Sequence, residues 1–104
     1  MAISVDILDA NAKLAELEKA IQQTEALPFR LISITIGVAG GKPASLVTFL
    51  KGAAAPAAPI SLEVIDGALS KDQQQAHING NGKTVVCYGS LYVQGQPQNV
   101  AAYR

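Results

Sequence analysis

The chain has 104 residues, the size of one domain, and its 8 basic residues balance its 8 acidic residues at pH 7. A chain without excess positive charge lacks the electrostatic signature of nucleic-acid binding or of attachment to an anionic membrane. One cysteine excludes a disulfide bond within the chain, and one cysteine with one histidine excludes a structural zinc site of the usual type. We therefore expect no cofactor and no metal.

Residues 1–27 are predicted to form one long amphipathic helix. They contain no glycine or proline, and a stripe of residues recurs at alternating spacings of four and three, which is a heptad pattern over three repeats. Ser4 or Asp6 can cap the start of the helix, and Pro28 should end it near Ala26. The stripe consists of Ile3, Ile7, Ala10, Leu14, Leu17, Ile21 and Thr24.

This helix needs a surface to pack on, and two surfaces are open to it. One is the chain's own sheet, which additional apolar residues such as Leu8 and Ala15 favour. The other is a second copy of the helix, because Lys13 and Glu18 have the spacing of an interhelical ion pair in a parallel coiled coil.

Residues 28–104 are predicted to form an antiparallel sheet of four to five strands. The predicted strands have β-branched or alternating apolar residues and are separated by glycine, proline and asparagine. Gly89 is expected to mark a bulge in the fourth strand, and the fifth is expected at the edge of the sheet. The strands are 29–38, 45–51, 60–66, 83–93 and 98–103.

Two connecting segments have distinct patterns. Residues 52–59, rich in alanine and proline, are predicted to form an extended loop. Residues 70–78 are ambiguous: Ser70 and Gln73 resemble a capping box and predict a short helix, which we favour. Alternatively, this segment is a strand that enters a hairpin turn at residues 79–82. The expected fold is α+β, a single domain with one long N-terminal helix followed by the antiparallel sheet.

The residue types of several catalytic sites are present without their spacing. The glycine-rich segment 37–43 lacks the first glycine and the final serine or threonine of a P-loop. Cys87 and His77 are a nucleophile and a base, but Cys87 lies on an apolar strand face, where burial makes a thiol inert. We predict that Cys87 is buried and unreactive, that His77 is not essential, and that no residue is catalytic.

The apolar stripe and two tyrosines are the candidate interface residues. The first 27 residues carry five acids and two bases, and the rest of the chain carries three acids and six bases, which favours docking of one part on the other. Tyrosine is enriched at protein interfaces, and two tyrosines share a face of the fourth strand. The candidates are Ile7, Leu14, Leu17, Ile21, Tyr88 and Tyr92.

The predicted function is that of a non-enzymatic, oligomeric structural or interaction module, a dimer or trimer. By analogy of composition, a virion or phage-tail component is one setting for it. The alternative is a small-ligand-binding protein or minor enzyme with a pocket between the helix and a curved sheet, where Tyr88, Tyr92 or His77 would supply polar groups. No signal peptide and no run of about 18 to 20 apolar residues is present, so a cytoplasmic location is expected.

Overall fold

A computed structural model describes residues 2–52 and 58–104. It contains six strands and two helices, in chain order β1 (Ile3–Asp9), α1 (Leu14–Glu25), β2 (Phe29–Ala39), β3 (Lys42–Lys51), β4 (Ser61–Ile65), α2 (Lys71–Asn79), β5 (Val85–Val93) and β6 (Gln96–Tyr103). Most of the loop predicted at residues 52–59 lies outside the described residues.

The strands form two three-stranded antiparallel sheets, so the predicted fold class is wrong. The first sheet has the order β1-β3-β2 and the second the order β4-β6-β5. Strands account for 51% and helices for 21% of the described residues. The described residues hold two short helices, and they hold neither a single long N-terminal helix nor a sheet of four to five strands.

The first part of the predicted helix is strand β1. Ile3, Val5 and Ile7 are β-branched and alternate with shorter residues, which favours an extended backbone. Helix α1 begins after Lys13, whose backbone N–H donates to Glu16 Oε1 at 3.1 Å. The helix ends at Glu25, as Pro28 predicts.

The remaining elements follow the sequence patterns more closely. Strands β2 to β5 lie where strands are predicted, and the short helix is confirmed as α2. Its capping box is formed, because Gln73 N donates to Ser70 Oγ at 3.2 Å and Ser70 N donates to Gln73 Oε1 at 2.9 Å. The last strand, β6, is at the centre of the second sheet and not at its edge.

The two sheets belong to two halves with the same topology. The first half (residues 3–51) and the second half (residues 60–104) each run strand, helix, strand, strand, with the third strand of each half in the middle of its sheet. Each hairpin closes with two residues of positive φ, Gly40 and Gly41 in one half and Gln94 and Gly95 in the other.

The pairing registers of the halves also correspond. The register of β2 shifts at Ile32 and that of β5 shifts at Val86, each seven residues before the last residue of its strand. The predicted bulge at Gly89 is therefore displaced to Val86. Segment 3–9 reads ISVDILD and segment 60–66 reads ISLEVID, so a residue of similar chemistry stands at every position. We conclude that the chain is an internal duplication.

The main core lies between the halves. Leu17 and Ile21 of α1 and Val47 and Phe49 of β3 pack there with residues of the second sheet, among them Leu62, Leu91, Val100 and Ala102. Helix α2 covers the opposite face of the second sheet, where Ile78 packs with Ile65, Ala101 and Tyr103. Among the described residues, the second sheet is thus covered on both faces and the first sheet on one.

Candidate functional site: two open surfaces of the duplicated fold

The uncovered side of the first sheet is a mostly apolar surface, which we call the outer face. Strand alternation and the register of β1 with β3 place its residues on one side of the sheet. Ile3, Val5 and Ile7 are 61%, 52% and 63% exposed, and the β3 residues are partly exposed. The outer face consists of Ile3, Val5, Ile7, Leu46, Thr48 and Leu50.

The equivalent face of the second sheet is mostly buried. Val5 pairs with Thr48 in β3 as Leu62 pairs with Ala102 in β6, which makes Val5 and Leu62 equivalent positions. The residues equivalent to Ile3, Val5 and Ile7 are Ile60, Leu62 and Val64, and they are 0%, 7% and 38% exposed. The same type of surface is therefore largely packed against protein in one half and open in the other.

Within the chain, α1 and β2 receive that face of the second sheet. Gln22 Nε2 donates to Ile60 O at 2.7 Å, and Leu62 N donates to Glu18 Oε2 at 2.9 Å. These two side chains, one helical turn apart, satisfy backbone groups on the free edge of β4. Glu18, which the sequence pattern pairs with Lys13 across a coiled coil, contacts β4 of its own chain, and Lys13 precedes α1.

A groove lies beside α2 on the far side of the second sheet. It encloses about 470 Å³. The hydroxyl of Tyr88 on β5, which is 44% exposed, donates to Gln74 Oε1 at one wall. The groove is lined by Lys71, Gln74, Gln75, Ile78, Asn79 and Tyr88.

A polar cluster holds α2 to the second sheet. Tyr103 donates its hydroxyl proton to Glu63 Oε1 at 2.7 Å, and His77 Nε2 lies 3.1 Å from the same oxygen. The hydrogen bond from Tyr103, and then His77, lower the pKa of Glu63, while burial and this carboxylate raise the pKa of Tyr103 above its ordinary range. The carboxylate is thus stabilised in its ionised form, which suits an anchor for the helix.

Cys87 is partly buried and packs against the main core. Burial, with a smaller contribution from the charge of Glu25, raises the pKa of the thiol to about 11. The described partner of His77 is Glu63 and not Cys87, and α2 packs on the other face of the sheet. The two residues therefore do not form a nucleophile and base pair.

A buried ion pair joins the halves at the end of α1. The carboxylate of Glu25 is 3% exposed, accepts from Leu31 N at 2.8 Å, and pairs with Arg104 Nη1 and Nη2 at 2.9 and 2.7 Å. These contacts satisfy a buried charge and fix the C-terminal strand to the first half. Their separation in sequence leaves no local pattern that predicts them.

The structure distributes the six predicted interface residues over different environments. Leu17 and Ile21 are 1% exposed in the core, and Leu14 packs against that core. Tyr92 is partly buried and its N–H donates to Ser45 Oγ at 2.8 Å. Ile7 lies on the outer face and Tyr88 in the groove, so these two belong to open surfaces. The alternation of Ile3, Val5 and Ile7 is the signal that could have predicted the outer face.

Among residues 2–52 and 58–104, no three or more His, Cys, Asp or Glu side chains are placed to hold a metal ion. In the same part of the chain, no helix is long and apolar enough to cross a membrane. The chain matches no protein-family model, no curated protein and no solved structure.

Proposed function

We propose that this protein is a non-enzymatic structural or interaction module that self-associates through its outer face. The observation that carries the proposal is the contrast between the halves. Ile3, Val5 and Ile7 are more than half exposed, whereas Ile60 and Leu62 of the second half pack into the core and Val64 is 38% exposed.

The energetics favour covering this face. Burying a large aliphatic side chain contributes about 1.5 to 3 kcal/mol relative to leaving it in water, so three of them offer substantial free energy to an interface. Contiguous exposed apolar surface of this kind marks protein interaction sites. Association into a dimer or trimer would bury the outer face. A structural role in a virion, suggested by composition alone, is one instance of the proposal.

The alternative is binding of a small ligand, and the groove beside α2 favours it. The space between α1 and the sheets is filled by core residues such as Leu17 and Ile21, so a ligand would lie on the α2 side. There Tyr88 and Gln74 would supply polar contacts, while Tyr92 and His77 are not among the lining residues. A chain that is monomeric at all concentrations would favour this alternative.

The test is the molar mass in solution of three proteins, measured by light scattering on a sizing column. We expect the natural chain to exceed its monomer mass of 10.8 kDa at high micromolar concentration. Val5→Glu should be monomeric, because it places a charge in the middle of the apolar face. Val38→Glu makes the same change at a 72% exposed position outside the face and should behave as the natural chain.

Two results would contradict the proposal. One is a natural chain that stays monomeric at high micromolar concentration. The other is a Val5→Glu protein whose molar mass equals that of Val38→Glu.

A further inference from the structure

We infer that copies of this chain associate head to tail, with the outer face of one copy seated in the groove beside α2 of the next. The inference rests on the proposed self-association and names the surface that receives the outer face. The contact between the two halves of one chain is its template.

The groove is the second-half equivalent of the surface that receives the second sheet. The halves share topology, register and bulge position, so residues 14–22 of α1 and 31–39 of β2 have counterparts in α2 and β5. Leu14, Leu17, Glu18, Ile21, Gln22 and Ile34 correspond in order to Lys71, Gln74, Gln75, Ile78, Asn79 and Tyr88. The first set lies in or against the main core or bonds to the second half, and the second set lines the groove.

The outer face is likewise the equivalent of the surface that docks. Within the chain, Ile60 and Leu62 lie in the core between the halves, and Val64, 38% exposed, continues the same side of β4. Ile3, Val5 and Ile7 occupy the same positions in β1. Within the described part of the chain, each copy therefore carries one unused docking face and one unused receiving groove.

The polar contacts of the template can be repeated. Ala2 O accepts from Lys51 N of β3 at 3.0 Å, so the next carbonyl of β1, that of Ile3, points away from β3 toward the free edge. Gln75 can accept from Val5 N of a second copy as Glu18 accepts from Leu62 N. Asn79 can donate to Ile3 O as Gln22 donates to Ile60 O.

The contact between copies differs from its template at identifiable positions. Lys71 and Gln74 stand in place of Leu14 and Leu17, so the receiving groove is more polar. Thr35 stands in place of Gly89, where an added Cβ would lie 2.2 Å from Ile34 O. The strands of two copies must therefore lie farther apart than β2 and β5 do within one copy, which makes association between copies weaker than the internal packing.

Head-to-tail association has a defined symmetry. The contact joins two different surfaces, so it is heterologous and continues from copy to copy, giving a ring if the rotation closes and a filament if it does not. A pair of outer faces stacked on each other would instead form a closed dimer and leave the groove unused.

The experiment changes the groove without touching the core. Gln75 is exposed on α2, so Gln75→Lys should fold normally, but it removes the acceptor for Val5 N and opposes that N–H with a cation. We expect association to weaken by roughly tenfold or more, as for loss of a buried polar partner. Gln75→Glu keeps the acceptor and reproduces Glu18, so it should associate at least as strongly as the natural chain.

Mixing two variants decides the geometry. In a mixture of Val5→Glu and Gln75→Lys, the intact groove of the first protein can receive the intact face of the second. We expect a one-to-one complex and nothing larger, at a concentration at which each variant alone is monomeric. Self-association of the natural chain with no effect of Gln75→Lys, and no complex in the mixture, would overturn the head-to-tail arrangement and leave the proposed function standing. A natural chain that is always monomeric would overturn both.

Discussion

The surroundings of Cys87 lower the fraction of its thiol that is ionised and therefore reactive. It packs against the core, and burial raises its pKa to about 11, so at pH 8 only roughly one molecule in a thousand carries the reactive thiolate. We expect a thiol reagent to modify the native protein far more slowly than the urea-unfolded protein, which serves as the control. Rapid stoichiometric modification of the folded chain would contradict this prediction.

Other single residues depend on partners that are distant in sequence. Glu25 is buried because Arg104 and the N–H of Leu31 satisfy it, and no pattern near Glu25 indicates either contact. Gly89 is needed for close approach to Ile34 of the other half, and not for the bulge that its place in a strand predicts. In both cases the role comes from the packing of the halves, which the sequence does not display locally.

At the scale of the element, the anchoring of α2 depends on pH. The hydrogen bond from Tyr103, and then His77, lower the pKa of Glu63 in the folded state. A lowered carboxylate pKa contributes stability above the unfolded pKa, and this contribution is lost as pH falls through the folded value. The natural protein should therefore lose part of its free energy of unfolding below about pH 4.5.

Tyr103→Phe tests this linkage, because it removes the largest cause of the shift while keeping the ring. We expect the variant to be less stable than the natural protein at neutral pH and the difference to shrink as the solution is acidified. Urea unfolding at several pH values measures both free energies. His77→Ala, which removes a smaller cause, should show the same trend with smaller amplitude, and a Tyr103→Phe difference that does not vary with pH would contradict the account.

The elements differ in how well their sequences predict them. The sequence predicts strands β2 to β5 because their β-branched runs end at glycine or proline. It predicts α2 because the residues of its capping box are close together in the chain. The sequence does not predict strand β1, because Ile3 and Ile7 fit both the spacing of four of a helix and the alternation of two of a strand. The pairing with β3, which decides between helix and strand, is distant in sequence. A helix over this segment also gives no indication of the outer face, because the residues of that face share a surface only in a sheet.

At the scale of the whole molecule, the duplication accounts for the arrangement of surfaces. Two halves of one topology pack so that the sheet face of the second meets the helical side of the first. Among the described residues, this leaves a sheet face of the first half and a helical side of the second half without a partner. The similarity of segments 3–9 and 60–66 is a visible sign of this, but it acquires meaning only when both are strands at equivalent positions.

The packing of the halves should depend on the absence of a side chain at Gly89. A Cβ there would lie 2.2 Å from Ile34 O and 3.2 Å from Ile34 C, both backbone atoms that cannot move without shifting β2. We expect Gly89→Ala to lower the free energy of unfolding by about 1 to 3 kcal/mol, as overpacking does, measured by urea denaturation. Gly67→Ala is the matched control, because its Cβ would meet only Asn99 Nδ2 at 3.6 Å, an ordinary contact. Equal stability of the two variants would show that the halves are not held as closely as the structure indicates, and the template for head-to-tail association would lose its basis.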